Sequence, residues 1–130
     1  MNSASFHIHS ANLSPDAITA RLGTQPSRSF EKGNSLSQRN PKSGRRDAAL
    51  WVLESSRGDI PLSAQIRELL TFIEGKSTAL TRLSPDCLFD VFCAFAPSEG
   101  ERMLAIDADL LHKVQVVPID FVVDFPGTAA

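Results

Sequence analysis

Residues 5–23 read Ser5-Phe6-His7-Ile8-His9-Ser10-Ala11-Asn12-Leu13-Ser14-Pro15-Asp16-Ala17-Ile18-Thr19-Ala20-Arg21-Leu22-Gly23, and this stretch decides the fold. Its first part alternates. Phe6 and Ile8 fall on one side of an extended chain and His7 and His9 on the other, which is the period of a strand with one buried face. Its second part carries the signals of a helix over 15–22. The Ser14 hydroxyl can accept from a free first-turn amide. Pro15 suits the first helical position, where its missing N–H is not needed. Leu13 and Ile18 occupy the two hydrophobic-staple positions, and Gly23 offers the left-handed stop. A strand followed closely by a capped helix starts an α+β domain.

The remaining chain continues that pattern. Residues 27–47 have little apolar periodicity, with Phe30 and Leu36 the exceptions, so an irregular strand and a long polar loop at about 34–47 are expected. Ala49-Leu50-Trp51-Val52-Leu53 is apolar on both faces and reads as a central strand. Leu62, Ile66, Leu69, Leu70 and Ile73 recur at helical spacing up to Gly75. A short helical piece at about 77–82 follows, ended by Ser84-Pro85-Asp86. Cys87, Phe89, Val91, Cys93 and Phe95 alternate with Leu88, Asp90, Phe92 and Ala94 in a long strand. Met103-Leu104-Ala105-Ile106 reads as a short strand. A last helix carries Leu110, Leu111 and Val114. In the closing strand Val117, Ile119, Phe121, Val123 and Phe125 are expected to face the core, and Pro118 favours an edge or a strand start. The expected order is β-α-β-β-α-(α)-β-β-α-β: a mostly antiparallel sheet with about three helices on one face.

The 130 residues suit one domain, 1–130, with a short tail at 126–130. No apolar run approaches the roughly 18 residues needed to cross a membrane. Met1-Asn2-Ser3-Ala4-Ser5 lacks the n- and h-regions of a signal peptide, so a cytoplasmic location is the expectation. Cys87 and Cys93 stand six residues apart in one strand, or roughly 20 Å, far beyond the separation of about 7 Å that a disulfide spans. Both read as buried hydrophobes. Net charge is only −2, but it is unevenly placed. Residues 27–47 hold six basic and two acidic residues, a net +4, whereas the rest holds seven basic and thirteen acidic, a net −6. A basic arm stands on an acidic body.

In their order, Phe6-x-Ile8, Leu13-Ser14-Pro15-Asp16-x-Ile18, Leu22-Gly23, Pro26, Lys32-Gly33, Trp51-x-Leu53, the Ile66/Leu69/Leu70 helix and Ile119-Asp120-Phe121 resemble a family of small, mainly bacterial proteins, the domain of unknown function 4279. The resemblance spans about residues 5–121. It implies a single-domain α+β fold without an established reaction, so it carries no catalytic residues over. The Arg/Lys/Asn/Ser-rich insert before Trp51 departs from the family's pattern.

The candidate sites divide into an arm and a sheet face. The arm offers Arg28, Lys32, Arg39, Lys42, Arg45 and Arg46 to phosphates or to an acidic protein surface. With Phe30 its only aromatic and an acidic body behind it, nucleic acid is a poorer match than a protein partner. On the sheet, Asp90, Asp120 and Asp124 share the polar parity of two strands, and paired strands would bring two carboxylates together. His7 and His9 at i, i+2 could share a metal, but a zinc site takes three or four ligands. The third histidine is His112, and there is no CxxC or HExxH, so neither metal nor cofactor is expected. A Cys–His nucleophile would place its thiolate on the most apolar strand parity, and GxSxG, GxxxxGK[ST] and GxGxxG are missing.

The leading expectation is therefore a non-catalytic protein-interaction module working through the arm, of immunity or inhibitor type. The alternative is a small-molecule or metal-dependent binder or enzyme on the polar sheet face around Asp90, Asp120 and His7. Weak nucleic-acid binding through the arm comes third.

Overall fold

The computed structural model describes residues 2–36, 44–56, 58–96, 103–113, 115 and 117–125. The elements are β1 (Ser3–Ser10), α1 (Pro15–Leu22), β2 (Arg28–Phe30), β3 (Ala49–Glu54), α2 (Leu62–Gly75), α3 (Ser77–Leu83), a 3-10 turn (Ser84–Asp86), β4 (Leu88–Ala94), α4 (Ala108–Lys113) and β5 (Ile119–Asp124). The strands form one sheet in the order β2-β3-β1-β4-β5. Every pairing is antiparallel except β4 with β5, which is parallel.

The opening helix forms as its residues dictate. Ser14 Oγ accepts from the Ala17 amide at 3.2 Å, and Gly23 adopts φ 69° while its amide bonds Thr19 O. Ile18 and Leu22 reach the core, and Leu13 packs against it. α2 buries Leu62, Ile66, Leu69, Leu70 and Ile73. These meet Phe6, Ile8, Trp51, Phe89, Val91 and Cys93 from the sheet, and buried residues of the other three helices join the same cluster. All four helices thus serve one sheet face. Phe6 is central, with its ring 6.4 Å from Trp51, 6.4 Å from Phe72 and 6.1 Å from Phe89. Trp51 is fully buried, and its indole N–H donates to Thr19 Oγ1.

Gln65 clips α2 to the start of β1. It is fully buried, yet its amide is satisfied. Its oxygen accepts from the Ala4 amide at 3.0 Å and from Ser55 Oγ at 2.8 Å. Its nitrogen donates to the carbonyls of Asn2 and Ile60 at 3.0 and 3.1 Å. A buried polar group with all its bonds made adds specificity without the penalty of an orphan.

Two expectations need correction. Met103-Leu104-Ala105-Ile106 is not a strand. β4 already has β1 and β5 as its two neighbours, and Leu104 and Ile106 bury against the core as irregular chain. Second, only the first half of β5 faces the core. Val117 is buried and Ile119 and Phe121 pack against the cluster, but Val123 and Phe125 are 36% and 62% exposed. β5 is an edge strand, and Phe125 meets only the rim, edge-on to Phe95 at 5.8 Å. Pro118 stands one residue before that edge strand, where a missing N–H interrupts no ladder.

Candidate functional site

The helix-free face of the sheet is set by the parity that buries the other one. Because Phe6 and Ile8 turn inward, Ser5, His7 and His9 turn outward, and so do Asp90 and Phe92 on β4. The register then makes a row across the sheet. Arg28 stands opposite Val52, Val52 opposite His7, His7 opposite Asp90, and Asp90 opposite Asp120. Phe30, Leu50, His9 and Leu88 form the next row.

Four of these side chains are in polar contact. Ser5 Oγ lies 2.9 Å from His7 Nε2. The other ring nitrogen, His7 Nδ1, lies 3.4 Å from Asp90 Oδ1. His9 Nε2 lies 2.7 Å from Asp90 Oδ2. Asp90 is thus wedged between two imidazoles, its side chain only 15% exposed. Its Oδ1 is buried and has no hydrogen-bond partner among the described residues, the approach of His7 Nδ1 being an ion-pair contact without hydrogen-bond alignment. The His7 ring is held flat against Phe92, with centroids 5.4 Å apart and planes 8° apart. Burial pushes the His7 pKa down; Asp90 opposes that shift, while His9 and Arg28 add to it. One ring nitrogen of His7, one of His9 and an Asp90 carboxylate oxygen lie within 4.8 Å of one another, so the trio could hold a cation.

His9 also lines a cleft of about 330 Å³ beside this cluster, with Ser10, Asn12, Asp86, Cys87 and Leu88. Its wall is fixed by Ser10 Oγ, which donates to Asp86 O at 2.8 Å and accepts from the Leu13 amide at 2.9 Å.

Of the expected sheet-face residues, the fold unites His7, His9 and Asp90. Asp120 is the cross-strand neighbour of Asp90 but stays exposed, and the Asp90 carboxylate turns to the histidines. Asp124 sits opposite Ala94, away from the cluster. Ser5 escaped the sequence reading, although it shares parity with His7 and His9. The cysteines lie on the helix-covered face, and burial raises both thiol pKa values, that of Cys93 to about 11.

The described parts of the arm are two antiparallel limbs that continue β2 and β3. Ser35 and Arg45 form an isolated antiparallel bridge. Backbone bonds from Gly33 N to Arg46 O, Arg46 N to Asn34 O and Leu36 N to Gly44 O tie its two limbs. Gly44 turns the return limb at φ 104°, a left-handed conformation that suits glycine. Its described cations have local partners. Arg28 meets Glu54 at 3.4 Å, Lys32 Nζ approaches Ala11 O at 3.5 Å, and Arg45 donates to Gly33 O at 2.9 Å. The Arg46 guanidinium lies 4.1 Å over the Phe30 ring, so one face of the arm's single aromatic is capped. Arg39 and Lys42 fall outside the described residues.

Among the described residues, no helix is long and apolar enough to cross a membrane. No curated protein and no solved structure matches the chain. Residues 1–127 of the 130 match the family model for the domain of unknown function DUF4279, and the chain belongs to that family.

Proposed function

We propose that this protein is a binding module whose working surface is the helix-free sheet face, and that a small polar ligand or ion seats on His7, His9 and Asp90. The observation that carries this reading is the Asp90 carboxylate. A buried acceptor left without a hydrogen bond costs roughly 1–3 kcal/mol, more when charged, and here one carboxylate oxygen is in that condition beside two imidazoles and a cleft. A ligand that supplies positive charge or a donor at this point would offset that cost. Thermal shift of the full chain against a panel of amines, amino acids and divalent ions tests it. A rise in melting temperature for a panel member, lost in Asp90→Asn, supports the reading; a flat response across the panel defeats it.

A protein-interaction role through the arm, of inhibitor or immunity type, is the second reading. It is supported by the two paired limbs of the arm that are described, which present Lys32 and Arg45 on exposed positions of an otherwise acidic chain. Its test is a parallel pull-down with wild type and an Arg39→Ser/Lys42→Ser/Arg45→Ser variant. One stoichiometric protein lost in the variant supports it, and an unchanged capture pattern defeats it.

A further inference from the structure

We propose that the ion of this site is a divalent transition-class cation, with zinc as its type, held by His7 Nδ1, His9 Nε2 and an Asp90 carboxylate oxygen with a fourth position open. This deepens the binding reading above and rests on it.

Three features carry the assignment. The first is donor chemistry. Two imidazoles and one carboxylate suit zinc and its neighbours in the first transition row, whereas magnesium and calcium prefer all-oxygen sets. The second is geometry on rigid elements. His7 and Asp90 are direct partners across the central β1–β4 pair, and His9 lies two residues further along the same strand. Ligands 2.0–2.1 Å from a tetrahedral zinc lie roughly 3.3 Å from one another, and His7 Nδ1 already stands 3.4 Å from Asp90 Oδ1. His9 Nε2 lies 2.7 Å from the other carboxylate oxygen, Oδ2, and with a side chain 39% exposed it has room to move onto an ion held between them. The third is the support around the ligands. A metal-bound imidazole normally donates its second N–H to a fixed acceptor. Ser5 Oγ stands 2.9 Å from His7 Nε2, and in the tautomer whose Nε2–H donates to that hydroxyl, Nδ1 presents a bare lone pair to the carboxylate. Two acceptors then face each other, one of them the unpartnered Asp90 Oδ1, and a cation between them satisfies both. Ser5 is a positioning residue for His7.

With three protein ligands the fourth position stays free for water or a ligand donor, the arrangement of an open zinc site. The adjacent cleft is lined by the same His9, so a molecule bound there would reach the ion from that side.

The test is titration of the chelator-stripped full chain with Co²⁺, read by its visible ligand-field absorption, and with Zn²⁺, read by calorimetry. One equivalent per chain is expected, with a low-symmetry Co²⁺ band that Zn²⁺ displaces. His9→Gln and Asp90→Asn should each weaken binding at least tenfold while the far-UV spectrum stays native. His112→Ala, at an exposed residue outside the cluster, should bind as wild type. Ser5→Ala should weaken binding by roughly 10–100-fold and change the His7 ring ¹⁵N shifts of the metal-free chain. No Co²⁺ band, or a band unmoved by both His9→Gln and Asp90→Asn, overturns the assignment. Thermal shift of the same stripped chain with organic amines separates the two levels. A shift that depends on Asp90, without metal binding, removes the ion but leaves the sheet face as the binding surface; no response to either probe removes both.

Discussion

The two faces of β1 share a backbone and differ in everything else. Phe6 and Ile8 point into a fully buried cluster closed by four helices. Ser5, His7 and His9, alternating with them, form a polar chain that ends on a half-satisfied carboxylate. Among the described residues the helix-covered face has its buried side-chain polar groups matched, as at Gln65, and its thiols buried. The opposite face keeps an unmet acceptor in contact with titratable rings. The division teaches where to look for function: stability is concentrated on the first face, and the chemistry left over for a partner lies on the second.

The strongest way to break this comparison is to cut the core. Phe6→Ala removes the ring that touches Trp51, Phe72 and Phe89, and should lose about 3–5 kcal/mol in urea unfolding. A loss below about 1 kcal/mol would mean that the two faces do not differ as described. Gln65→Leu keeps the volume but orphans the Ala4 amide and the carbonyls it serves, with an expected loss of roughly 3 kcal/mol. The chemical denaturation midpoint checks it.

Cys93 gives a pH-dependent test of the same face. Its thiol ionises near 11 in the folded chain against 9.0 unexposed to that burial. Between those values the unfolded state sheds the proton and the folded state keeps it. Stability from this group is therefore intact below pH 9 and lost as pH rises towards 11, by on the order of 2 kcal/mol. Cys93→Ala should flatten that slope in unfolding measured from pH 8 to 11, and a wild-type slope retained in the variant would assign it elsewhere. The smallest effect belongs to the other face. His9→Gln keeps a side-chain N–H for the Asp90 carboxylate at a partly exposed position, and should change stability by no more than about 1 kcal/mol while altering ligand response. A large loss of stability would make His9 a structural residue and blur the contrast.

Local order was legible because its causes lie within a few residues. Ser14, Pro15 and Gly23 set the ends of α1, and the alternation of β4 named its buried side, Phe89, Val91 and Cys93. Where a segment had two ways to bury itself, the pattern misled. Leu104 and Ile106 look like strand residues but bury as coil, and Val123 and Phe125 keep strand parity with too little core beyond them.

The α+β class, the capped first helix, the interior Trp51 strand and the division of strands into polar and apolar faces follow from neighbouring residues, because hydrophobic period and capping are local properties. The same period also placed His7 and His9 on one side. That β4 lies beside β1 with Asp90 opposite His7, that Ser5 meets the His7 ring on its other nitrogen, and that Asp120 and Asp124 stand apart from the cluster came from the folded arrangement alone. Strand order and register come from the packing of elements some eighty positions apart in the chain, and no local pattern encodes which strand will be whose neighbour.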